Sequence, residues 1–264
     1  MLSKEIAQSW IDEAGADHRL KGIIAEVEQT YELAIGIGSG PSWESSIVNG
    51  KAIIRMAETD RPMASFAHEI LHLRLSARGY RHILGCAHPD EKLRGVVLDL
   101  LDALDNELQH RRTFPEFLSA GFSGDEFYSD DDDADWVDVE THVRALSGNE
   151  TPSIVLFIYL SLIAPGGGWP QGKLEEITDL LQAKIKPETW SRLLAVKAAI
   201  EAWARDDTMD PTETIVSIFE ALGDLGGTFI AEDVGTYPTG AFIPRSMTQD
   251  QFEDLAKQAA GVAP

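Results

Sequence analysis

Between Pro62 and Gly79 lies a helical stretch whose apolar side chains, Phe66, Ile70, Leu73 and Leu75 with alanines between them, place it in a protein interior. Pro62 suits the first turn of such a helix and Gly79 the stop after it, so the sequence predicts a helix over about 62–78. Its middle reads His68-Glu69-Ile70-Leu71-His72. Buried imidazoles need partners, and residues four apart stand on one helix face, so His68 and His72 can present two nitrogens to one Zn²⁺. Glu69 then sits beside the metal as a candidate general base. Zinc lowers the pKa of a bound water to about 7, and a carboxylate that takes its proton leaves a hydroxide able to attack a carbonyl. The natural reaction is peptide hydrolysis. The structural alternative is a pair of core histidines satisfied by backbone or carboxylates.

The motif and its surroundings resemble those of the zincin metallopeptidases, whose active-site helix bears H-E-x-x-H among uncharged residues. Phe66, Ala67, Ile70, Leu71 and Leu73 fit that pattern, whereas Arg74 stands where it has an apolar residue. A catalytic zinc takes three protein ligands and keeps one position open, so a third ligand comes from outside this helix. From Pro89-Asp90 to about Thr113, Leu93, Val97, Leu100, Leu104 and Leu108, widened by Val96 and Leu101, recur at three and four and predict a second helix with an inward stripe. Glu107 lies on or beside that stripe, where an ionised carboxylate is costly unless paired or metal-bound. The pair Asn106-Glu107 resembles the Asn-Glu that delivers the glutamate ligand in the gluzincin branch, which implies His68, His72 and Glu107 as ligands of one zinc per chain, with water in the fourth place. Gluzincins commonly carry an Asp four residues after that Glu. Arg111 occupies the position here, so an outer carboxylate would come from elsewhere, with Asp99, Asp102 and Asp105 nearest in sequence. The stretch from His72 to Glu107 is also longer than in the best-known gluzincins and would hold a loop through Gly79 to Pro89. His110, one turn from Glu107, is a reserve ligand, a transition-state donor, or an intrahelical partner of Glu107. Tyr80 and Tyr128 are further candidates for a donor to a tetrahedral oxyanion.

Two rival readings are open at this level. Glu69-x-x-His72 and Glu107-x-x-His110 together form the paired E-x-x-H of a ferritin-like di-iron bundle, with Glu26, Glu28 or Glu32 as an earlier ligand, but only Glu91 falls between the motifs and His68 is left without a role. The other rival is a regulatory or binding protein on a zincin scaffold without catalysis.

A formal charge of -22 argues against nucleic acid or an anionic membrane as partner, and directs any charge preference towards basic segments of a peptide or protein substrate; acidity that serves only solubility is the alternative. The single cysteine, Cys86, forbids an intrachain disulfide and suits a cytoplasmic protein. With His82 and His88 it suggests a second metal, against the simpler reading of a loop thiol. The N-terminus has no apolar segment of signal-peptide type, and the longest apolar run, Ile154 to Ala164, is too short to span a bilayer.

Residues 4–34 read as one or two helices broken near Gly15 to Asp17, followed by a turn region through Gly36, Gly38, Gly40 and Pro41 that lacks the Lys-Ser/Thr of a phosphate loop. Asn49-Gly50 between Ser46–Val48 and Ala52–Ala57 is a hairpin signal. By resemblance to zincins, Ala52 to Ala57 is the edge strand that pairs with an extended substrate. Phe114 to Phe122 reads as an apolar turn, and Asp130 to Asp133, which no register fits to an EF-hand, as a loop leading to an N-cap near Asp135. Helices are predicted over about 153–164, 174–185, 187–205 and 212–222, with Trp190, Leu194, Ile200 and Trp203 as core positions, then a strand over 228–231 and a short helix near 249–258. The expected fold is α+β and predominantly α-helical: a zincin-like core with a small β-sheet over 1–150 and a helical C-terminal lobe over 151–264.

Overall fold

Ser3 opens the first helix, α1 (Lys4–Ala16), its hydroxyl accepting the Ile6 N–H, and the break predicted near Gly15 to Asp17 separates α1 from α2 (Lys21–Glu28). The computed structural model describes residues 1–128, 136–166, 169–232 and 241–243, with 250 and 254. The Asp130 to Asp133 run, the cap near Asp135 and most of the helix expected near 249–258 lie outside the described residues.

The chain forms two compact units that interleave in sequence: residues 1–80, 109–136 and 164–170 make the first, and 81–108, 137–163 and 171–264 the second. A single boundary near residue 150 was the sequence expectation. The chain instead passes from one unit to the other within one long helix, α4 (Glu91–Ser119).

In the first unit, β1 (Glu32–Ile37), β2 (Glu44–Val48) and β3 (Lys51–Met56) form a sheet of order β1-β3-β2, with β1 parallel and β2 antiparallel to β3. Asn49 and Gly50 take left-handed backbone, φ 52° and 76°, and close the β2–β3 hairpin as their sequence predicts. Two expectations are corrected. The turn region expected from Gly36 begins two residues later, at Gly38, because Ile35, Gly36 and Ile37 continue β1 by pairing with Ile54, Arg55 and Met56. The strand around Ala52 to Ala57 is central rather than an edge, so both of its ladders are already filled; the edges are β1 and β2.

Alternation along β3 buries Ala52, Ile54 and Met56. Against β2, β3, α1 and α2 packs α3 (Pro62–Ala77), with Pro62 in its first turn and Gly79, φ 97°, just beyond its end, as predicted. Ala64, Phe66, Ala67, Ile70, Leu71 and Leu73 of α3 join the core. Each fully buried large apolar side chain contributes about 1.5–3 kcal/mol, which holds α3 in place despite the polar groups it carries inward.

In α4 the predicted stripe is buried at Val97, Leu100, Leu101, Leu104 and Leu108. The helix does not stop near Thr113. It runs through Pro115 to Ser119, because burial of Phe117, 0 % exposed in the core of the first unit, outweighs the lost backbone rung at proline. The expected apolar turn is therefore confined to the residues after Ser119, ahead of a 3-10 turn at Gly124–Glu126.

The second unit holds α5 (Trp136–Ala145, less its first residue), α6 (Pro152–Ile163), α7 (Lys173–Lys184), α8 (Pro187–Trp203) and α9 (Thr212–Leu222), with α8 packed on α6 and α9. Four of these helices fall where the periodicity predicts them. Ile200 and Trp203 are buried, but Leu194 is exposed and Leu193 takes the inward position. A second sheet of order β4-β5-β6 joins Gly85–Ala87, Phe229–Ala231 and Ala241–Phe242, which confirms the strand expected over 228–231. Cys86 is a strand residue rather than a loop thiol, and burial pushes its thiol up to about 11, so it is held as the unreactive S–H form. No described helix is long and apolar enough to cross a membrane.

Candidate metal centre

Three imidazoles meet in the first unit. The four-residue spacing on α3 brings His68 Nε2 and His72 Nε2 to 2.9 Å, and His110 Nε2, from α4, lies 3.2 Å from His68 Nε2. One ligand nitrogen from each of the three lies within 4.8 Å of the others, and this is the one group of three or more His, Cys, Asp or Glu with such spacing among the described residues. A tetrahedral zinc with Zn–N near 2.05 Å sets its nitrogens about 3.3 Å apart, close to what the side chains already present.

Protonation follows from what holds the other ring nitrogen. His68 Nδ1 lies 2.7 Å from the Phe127 carbonyl, which can only accept, so Nδ1 carries the proton and Nε2 the lone pair. His72 Nδ1 donates in the same sense to Gln109 Oε1 at 2.9 Å. Two lone pairs 2.9 Å apart repel unless a cation or a proton lies between them, so the donor set fits a metal ion. The Tyr128 hydroxyl is 3.3 Å from His110 Nδ1 and orients the third ring. Beneath the cluster the Phe127 ring, 0 % exposed, packs 4.5 Å from the His68 ring and 5.1 Å from that of His110, centroid to centroid. This wall keeps water from one side of the histidines.

His110 is 3 % exposed, and burial first, then His68, His72 and Arg111, holds its imidazole well below the ordinary value of about 6.5. It is therefore neutral at pH 7, as a metal ligand must be. The unfolded chain takes up this proton near pH 6.5, so below that pH and down to the depressed folded value the unfolded state holds more protons and stability falls as pH falls. Metal binding acts in the same direction. Dialysis at about pH 7.5 should leave metal bound and at about pH 5 should release it, with a lower melting temperature. Equal metal content at the two pH values would contradict this protonation scheme.

Of the residues singled out from sequence, the structure gathers His68, His72 and His110 and sets Tyr128 behind His110. Glu69 is 8 % exposed on α3, adjacent to His68. Glu107 is 4 % exposed, in the part of α4 that belongs to the second unit, and is not a member of the three-residue group. Tyr80 is buried just after α3. Asp105, expected to support a metal histidine, pairs with His82 Nδ1 at 2.8 Å; Asp99 and Asp102 are exposed. Cys86, His82 and His88 form no metal-spaced group among the described residues.

Sequence reasoning missed Gln109 and Phe127. Gln109 directly precedes His110 on the inward side of α4, which was a usable signal, whereas a backbone carbonyl such as that of Phe127 leaves none. His68 lies within 3.2 Å of both other imidazole nitrogens, so the residue that a di-iron reading leaves idle is central to the cluster. Comparisons of the chain with protein-family models, with curated proteins and with solved structures give no match.

Proposed function

We propose that the protein is a zinc-dependent peptidase whose metal is held by His68, His72 and His110, with Glu69 as general base. The observation that supports this best is the convergence of three imidazole nitrogens at 2.9 and 3.2 Å, with a buried carboxylate on the residue next to one of them. When bound, zinc supplies Lewis acidity and a water whose pKa is lowered to about 7. Glu69, the neighbour of His68 on α3, would take a proton from the attacking water and deliver it to the departing amine nitrogen. Phe127, through its carbonyl, and Gln109, through its amide oxygen, fix the tautomers of His68 and His72. Tyr128 steadies His110 through Nδ1 and so serves it as an orienting group. The substrate is a peptide or protein, and the charge of -22 favours basic segments.

Hydrolysis of an unfolded, lysine-rich protein substrate tests the proposal. Cleavage should vanish after the metal is chelated and return with one equivalent of zinc per chain. Zinc-loaded protein that cleaves no member of a broad peptide library would instead favour a binding role for the same scaffold.

A further inference from the structure

Arg74 is the one residue near the histidine motif that departs from the apolar pattern of the zincins, and its surroundings explain what it does. Its Nε lies 2.6 Å from Glu26 Oε2 and its Nη1 lies 2.9 Å from Glu116 Oε2. One turn on, Arg78 repeats the arrangement, with Nε 2.7 Å from Glu26 Oε1 and Nη1 2.6 Å from Glu116 Oε1. Each arginine bridges both glutamates and each glutamate both arginines, so the four side chains close a ring. They are 20 % to 35 % exposed, and a partly buried, multidentate network is the setting in which ion pairs hold geometry instead of flickering as isolated surface pairs do.

The ring joins α2, α3 and α4 beside the metal centre. Arg74 follows His72 by two residues, about 3 Å along α3, and Glu116 follows His110 by six, about 9 Å along α4. A metal ion tolerates only about 0.2 Å of error in its ligand distances, while apolar packing alone lets helices slide by more than that. Pro115 also removes a backbone rung from α4 immediately before Glu116, where an external clamp has most effect.

Building on the peptidase reading above, we propose that Arg74, Arg78, Glu26 and Glu116 are positioning residues. Their ring sets the separation of α3 and α4 in the first unit and thereby brings His110 Nε2 to the His68 and His72 nitrogens.

The test is zinc affinity by competition with a chromogenic chelator, measured on the full chain for wild type, Glu116→Gln and Arg74→Lys, beside the melting temperature of each metal-free protein and the visible spectrum of its Co²⁺ form. Glu116→Gln should weaken zinc binding about tenfold, the lower end of what loss of an outer partner costs. It should also shift the Co²⁺ bands, while the metal-free melting temperature changes little. Raising the salt should weaken zinc binding by wild type more than by the variant. Arg74→Lys keeps the cation but loses the rigid fork whose Nε and Nη1 face different glutamates, so it should fall between the two and gives the same reading if Glu116→Gln fails to fold. Unchanged affinity and Co²⁺ bands in a variant with a lower melting temperature would make the ring merely structural and overturn the proposal, with the metal site intact. A wild type that binds neither metal would overturn the peptidase reading and the positioning role with it.

Discussion

Replacing Glu69 by Gln is expected to lower peptide hydrolysis about a thousandfold while leaving zinc bound, because general acid–base catalysis contributes about 10²–10⁴. The two side chains have the same shape, so the buried packing of α3 is kept, and the amide cannot accept the water proton. Glu69 is 8 % exposed on a helix whose other buried side chains include Phe66, Ile70, Leu71 and Leu73, and in the proposed mechanism it serves as the base. Single-turnover rates on zinc-loaded wild type and variant measure the effect directly. A variant that cleaves as fast as wild type would remove Glu69 from the chemistry, and one that lost its zinc as well would mean that Glu69 serves the metal.

The second large effect is expected at His110. Replacing it by Ala takes away one of three converging nitrogens, and the loss of zinc affinity should exceed the hundredfold or so that marks the upper end for an outer-shell partner. The imidazole is 3 % exposed and held neutral by its surroundings, so no side chain from solvent can readily take its place. Glu107→Ala provides the contrast. It removes a buried carboxylate one turn earlier on α4, and with His68, His72 and His110 as ligands it should leave zinc affinity within a few-fold of wild type, on the scale of a small perturbation under about 1 kcal/mol. The resemblance to gluzincins implies the opposite order of effects, so the pair of variants separates the two ligand sets.

The elements that surround the site were legible where a local signal was strong. Pro62 and Gly79 bracket α3, Asn49-Gly50 closes the hairpin, and the stripe from Val97 to Leu108 is buried as its period requires. What could not be read was set by partners distant in sequence. β1 exists because β3 offers it a parallel ladder across an intervening hairpin strand, and that same pairing turns the expected edge strand into the centre of the sheet. The stripe of apolar residues ends near Thr113, and the burial of Phe117 carries the helix on through Pro115 to Ser119. Within the site, the i, i+4 histidines follow from helix geometry alone, but the choice between Glu107 and His110 does not. Three residues apart on one helix, both lie near the inward stripe, and only the arrangement of α4 beside α3 in the first unit brings the His110 nitrogen to the pair. Arg74 read as a blemish in a motif because its partners, Glu26 and Glu116, are forty or more residues away in the chain.

Metal content by mass spectrometry tests the central claim most directly, on protein purified without chelators or a metal-binding tag, for wild type, His110→Ala and Glu107→Ala. Wild type should carry about one zinc per chain, Glu107→Ala nearly as much and His110→Ala almost none. No metal in the wild type, two irons per chain, or zinc that survives the loss of His110 but not of Glu107 would contradict a three-histidine zinc centre.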